Sequence, residues 1–146
     1  MTNQYFTTSF LTGKSPEEVF DAITDIKGWW NVSVKGSSKK LNDEFSVQFG
    51  DIHYSRQQVT AYVPGEKITW LVTDSKLNFL KDKTEWTGTN IVFEISRLQD
   101  KTQLHFIHEG LVQDVECYYA CSNAWTDFIQ NSLFPLVTIG EGKPFK

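Results

Sequence analysis

The chain lacks any apolar run approaching the ~20 residues a helix needs to cross a bilayer, so a membrane span is not expected. It also lacks a basic cluster: Lys39-Lys40 stands alone, and 14 basic against 18 acidic residues give a net charge of −4. Nucleic acid and anionic membranes are therefore not expected as partners. Cysteine is scarce. Cys117 and Cys121 have no third and fourth ligand at familiar metal spacing, so no metal site is expected. Four apart in a helical pattern, they read as small apolar fillers rather than a staple, because a regular helix gives such a pair poor disulfide geometry. No phosphate-binding glycine loop and no nucleophile elbow is present. Gly140-Glu141-Gly142 reads as a flexible tail joint, without the strand before it and the helix after it that a dinucleotide fingerprint requires. No cofactor is implied. Met1-Thr2-Asn3-Gln4 is polar and the apolar run after it is short, unlike a signal peptide, so the expectation is a cytoplasmic protein.

Aromatic residues are what the chain has in excess: 11 Phe, 5 Trp and 5 Tyr in 146 residues. They bring large buried area per residue and line pockets as readily as they fill cores. The length suits one domain, residues 1–146, burying roughly two-thirds of its unfolded surface.

Tyr5 to Leu11 reads as a strand. Ser15-Pro16-Glu17-Glu18 announces a helix: Ser15 caps, Pro16 fits the first turn and Glu18 completes a capping box. Val19, Phe20 and Ile23 form its apolar stripe, and a second short helical segment stops near Gly28. From Val32 onward the period is two. Phe45, Val47 and Phe49 lie on one face, His53 to Val63 forms the next strand, and Pro64-Gly65-Glu66 turns into Ile68, Trp70 and Val72. Asp74 to Glu85 reads as a long loop or irregular hairpin. Trp86 to Leu98 alternates again through Ile91, Phe93 and Ile95, and a last strand puts Leu104, Phe106 and His108 on one face. A long helix opens near Asp114, carries Cys117, Cys121, Ala124, Trp125, Phe128 and Ile129 at helical spacing, and is kinked or ended by Pro135. The sum is an α+β fold: a curved antiparallel sheet wrapped around a long C-terminal helix, with two short helices after the first strand.

The segments from Ser15 to Asp25, Trp29-Trp30, His108-Glu109-Gly110-Leu111, Trp125 to Leu133 and Gly140 to Phe145, in that order, carry a resemblance. They resemble the START-like superfamily of helix-grip proteins. Within it they are similar to small proteins related to the C-terminal domain of the activator of the 90-kDa heat-shock chaperone's ATPase. The resemblance covers nearly the whole chain. It implies a cavity between sheet and helix, an apolar small-molecule ligand as in several branches of the superfamily, and a chaperone as a further candidate partner.

The candidate pocket lining is Trp30, Trp70, Phe79, Trp86, Phe93, Phe106, His108 and Trp125, each of which reads equally as core packing. His108 reads either as a group orienting a ligand or acting as a base, or as a buried neutral imidazole bonded to a backbone carbonyl near the strand end. Ser55 and Gln57 share the inward face with Val59 if the alternation is unbroken; a bulge would turn them to solvent. The leading expectation is non-enzymatic binding of a hydrophobic small molecule. The alternatives are a protein-interaction module or homodimer, using outward Leu71, Val92 and Ile107, and a cyclase- or dehydratase-type enzyme with His108 as base.

Overall fold

The computed structural model describes residues 5–146; Met1 to Gln4, read above as unlike a signal peptide, lie outside the described residues. The strands are β1 (Phe6–Thr12), β2 (Lys35–Gly36), β3 (Glu44–Phe49), β4 (His53–Val63), β5 (Lys67–Leu77), β6 (Asn90–Leu98) and β7 (Lys101–Glu109). They form one antiparallel sheet in the order β1-β7-β6-β5-β4-β3-β2. The helices are α1 (Pro16–Thr24), α2 (Ile26–Trp29), α3 (Tyr118–Phe128) and α4 (Phe134–Ile139), and a π-helical turn, Ile129–Leu133, joins the last two. This is the α+β architecture expected from the pattern of elements and the helix-grip fold implied by the resemblance.

The local chemistry explains the elements. The Glu18 amide donates to Ser15 Oγ at 3.1 Å and the Ser15 amide donates back to Glu18 Oε1 at 3.4 Å, so the capping box at α1 is complete. Alternation places Ile68, Trp70 and Val72 of β5, Ile91, Phe93 and Ile95 of β6, and Leu104, Phe106 and His108 of β7 in the interior. Register puts Phe93 opposite Phe106 and Ile91 opposite His108. Trp30 sits in the middle of the grip. Its ring stacks on Trp70 (centroids 5.8 Å apart, planes at 11°) and lies 5.1 Å from Trp125. Phe93 and Phe106 fill in behind. The centre of the grip is thus packed solid with aromatic side chains.

Several expectations are corrected. Strand β5 runs on to Leu77, so the loop begins at Asn78 rather than Asp74, and Trp86 lies in that loop because β6 starts only at Asn90. The final helix begins at Tyr118 after a series of turns, not at Asp114. Pro135 does not end it. The π-helical turn falls immediately before Pro135, where the proline ring meets the preceding turn and an amide donor is missing, and the chain stays helical to Ile139. Gly140 then closes it in the left-handed conformation (φ 80°).

The tail is docked rather than a flexible joint. The Lys143 amide donates to Ser132 Oγ at 2.7 Å, the Phe145 amide to the Trp30 carbonyl at 3.0 Å, and the Val32 amide to the Phe145 carbonyl at 3.0 Å. Gly142 is required there, since a Cβ would collide with the Gly28 carbonyl oxygen. On the outer sheet face Val92 is buried and Leu71 and Ile107 are half-buried, so these residues form no open apolar patch.

Candidate functional site

With the centre of the grip filled, open space survives at one end. A cavity of about 320 Å³ lies between α3, the β3–β4 turn and the loop from Asn78 to Thr89. Ala120, Ala124 and Phe128 follow one another at four-residue spacing along α3, with Cys121 and Trp125 beside them. The two alanines leave the gap that larger side chains would close. Phe49, Ile52 and His53 form the second wall, Phe79 and Trp86 the third, and Trp30 contributes from the core. Ile52 is 58% exposed and Phe79 47%, so the mouth itself is apolar and open to solvent. No Asp, Glu, Lys or Arg lines it.

Two carboxylates hold the loop against the helix start. Glu85 accepts from the Glu116 and Cys117 amides at 2.8 and 2.9 Å. Glu116 accepts from the Lys81 and Asp82 amides at 3.0 and 3.2 Å. Those amides hold the Glu116 carboxyl below its usual range. The exchange fixes Phe79 and Trp86 relative to α3.

Of the residues predicted to line a pocket, Trp30, Phe79, Trp86 and Trp125 do so. Trp70, Phe93, Phe106 and His108 do not; they are wholly buried beneath the cavity, as core. His108 is tied at both nitrogens. Trp125 Nε1 donates to its Nδ1 at 3.0 Å, so the ring proton sits on Nε2 and is donated to Thr89 Oγ1 at 2.9 Å. Thr89 in turn donates to the Trp86 carbonyl at 2.6 Å. Burial first, and the neighbouring His53 second, push the His108 pKa down to about 3. Both ring nitrogens are thus engaged within the protein, the arrangement of a buried neutral imidazole. Its partners are two side chains rather than a backbone carbonyl.

The wall residues absent from the predicted lining are Phe49, Ile52, His53, Ala120, Cys121, Ala124 and Phe128. One signal for His53 existed: Ser55 and Gln57 do face inward and are wholly buried, and a further step of two along the strand reaches His53. Burial pushes the His53 pKa down to about 4. The cysteines also depart from expectation. The structure pairs their sulfurs at the first turn of α3, with Cα atoms 5.5 Å apart. Among the described residues no group of His, Cys, Asp and Glu is arranged to hold a metal ion, and no helix is long and apolar enough to cross a membrane.

A sheet gripping one helix, with an apolar cavity at its open end, defines a START-like helix-grip protein. The family model described as "Activator of Hsp90 ATPase homolog 1-like protein" matches residues 14–136, and the chain belongs to that family. Among solved structures it is similar to the Aha1 dimer from Colwellia psychrerythraea (22% identity, TM-score 0.76, covering 97% of this chain and 100% of that one). It is also similar to a protein of Staphylococcus saprophyticus (13% identity, TM-score 0.70, 98% and 100% covered). A third likeness is to DynU16, a protein of the dynemicin biosynthetic locus (13% identity, TM-score 0.70, 97% of this chain and 49% of that one). At these identities the likeness is one of fold. No curated protein matches the chain in sequence.

Proposed function

We propose that the protein binds a hydrophobic small molecule, without chemical conversion, in the cavity between α3 and the β3–β4 end of the sheet. The observation that carries this reading is the cavity itself: about 320 Å³, walled by indole, phenyl and alkyl groups with no charged side chain. That volume lies at the lower end of the ~300–1,000 Å³ of small-molecule sites. Exposed Ile52 and Phe79 at the mouth are apolar surface that a ligand would cover. Native mass spectrometry of gently purified protein, repeated after denaturation, tests it. A co-purified mass lost on denaturation is expected. A clean apo mass, with no shift in melting temperature across a panel of apolar compounds, would count against it.

A protein-interaction role is the second reading, with a chaperone or a second copy of the chain as partner. The family match and the dimeric state of the Colwellia relative favour it. Sedimentation equilibrium addresses the dimer: a concentration-dependent mass of twice the monomer supports it, a constant monomer mass opposes it.

A further inference from the structure

Polar chemistry reaches the cavity at His53 through a row of inward-facing side chains on β4. Gln57 Nε2 donates to Ser55 Oγ at 2.5 Å, and Ser55 Oγ lies 3.0 Å from His53 Nε2. Gln57 and Ser55 are both wholly buried. The Ser55 hydroxyl already accepts from Gln57 and must place its own proton, because a buried orphan donor is costly. With the Gln57 amide placed so that Nε2 faces Ser55 and Oε1 is buried without a partner, His53 Nε2 is the acceptor within reach. The imidazole proton is then on Nδ1. That atom has no hydrogen-bond partner among the described residues, and it is not among the side-chain atoms buried without a partner. The row therefore runs in one direction, amide to hydroxyl and hydroxyl to imidazole, and leaves the Nδ1–H as the free donor on the imidazole that lines the cavity. Each bond polarises the next. Resting on the ligand-binding reading above, we infer that the ligand is an uncharged ring compound carrying a hydrogen-bond acceptor, a ketone or quinone-type carbonyl oxygen, which takes the Nδ1–H of His53.

The walls supply the rest of the selection. Trp30, Trp86, Trp125 and Phe49 present ring surface that favours flat, unsaturated frames. A carboxylate would be desolvated there with no cation to meet it.

Three planar tricycles of nearly one shape test the inference: fluorene, which makes no hydrogen bond, carbazole, which donates, and 9-fluorenone, which accepts. Fluorene-9-carboxylate is the charged member. Affinities are read from chemical-shift titrations of the Trp indole N–H signals at pH 7. The expected order puts 9-fluorenone about tenfold tighter than fluorene, the span of one hydrogen bond, carbazole no tighter than fluorene, and the carboxylate weakest. In His53→Phe the gap between 9-fluorenone and fluorene closes to within about twofold. Equal affinities for the three neutral probes, a preference for carbazole, or tight binding of the carboxylate overturns the inference and leaves the cavity reading intact. Failure of every probe to bind overturns both. An independent check needs no ligand and no variant: long-range proton–nitrogen spectra must show His53 protonated on Nδ1, and protonation on Nε2 overturns the inference.

Discussion

Two neutral imidazoles, His108 wholly buried and His53 half-buried in the cavity wall, make this protein's stability depend on pH in a defined direction. Both His53 and His108 have folded pKa values, about 4 and about 3, below the unfolded value near 6.5. Above pH 6.5 neither state is protonated and the full stability is present. As the pH falls below 6.5 the unfolded chain takes up protons that the folded chain refuses, so stability declines. The contribution is lost progressively down to about pH 4 for His53 and about pH 3 for His108. The limiting slope is about 1.4 kcal/mol per pH unit for each histidine. Urea midpoints between pH 8 and pH 4 should fall monotonically on the acid side, and His53→Phe should flatten part of that slope. A midpoint independent of pH over this range would refute the buried neutral state. At the same scale, Trp125 Nε1 and His108 Nδ1 are partners. Trp125→Phe strands a buried acceptor, at a cost of about 1–3 kcal/mol on top of lost packing. A double-mutant cycle of Trp125→Phe with His108→Leu should give a coupling of at least about 1 kcal/mol. The sequence pointed to His108 as interior through its two-residue step from Phe106. What it withheld was the partner: whether an inward histidine is free or tied depends on Thr89 and Trp125, brought to it from a loop and a distant helix.

At the scale of elements, the junction between α3 and the loop after β5 decides the shape of the cavity. Glu85 holds the Glu116 and Cys117 amides, in the turn just before the helix, from more than thirty positions away. Glu85→Ala should cost about 1 kcal/mol and should speed amide exchange both in residues 113–121 and in residues 78–89. Exchange that rises in the helix alone would show that the carboxylate does not hold the loop. The tail gives a second case. Gly142→Ala forces the tail off Gly28, and a destabilisation of about 1–3 kcal/mol is expected, with loss of protection at the Phe145 amide. Strands and α1 were legible in the sequence because their signals are local: alternation at Phe45, Val47 and Phe49, and a capping box at Ser15 and Glu18. The helix start was not, because the turn before it is held by Glu85, and the docked tail was not, because Gly142 is explained only by its contact with Gly28.

For the molecule as a whole, a sheet curled on a helix leaves interior volume that side chains or a ligand must fill. Trp29, Trp30, Trp70, Phe93 and Phe106 fill the middle. Small Ala120 and Ala124 leave the end unfilled. Aromatic excess announced the first outcome and the second alike, so composition could not divide the candidate residues between core and cavity. That division rests on which turn of α3 faces which loop. On the proposed reading the space beside Ala124 takes an apolar guest. It is tested most directly by titrating the uncharged fluorophore N-phenyl-1-naphthylamine into the wild type and into Ala124→Phe, whose ring would occupy that space. The expected result is saturable one-to-one enhancement in the wild type and at least a tenfold loss of affinity in the variant, with its melting transition retained. Equal titration of both proteins, or no saturable signal in the wild type, would contradict the claim.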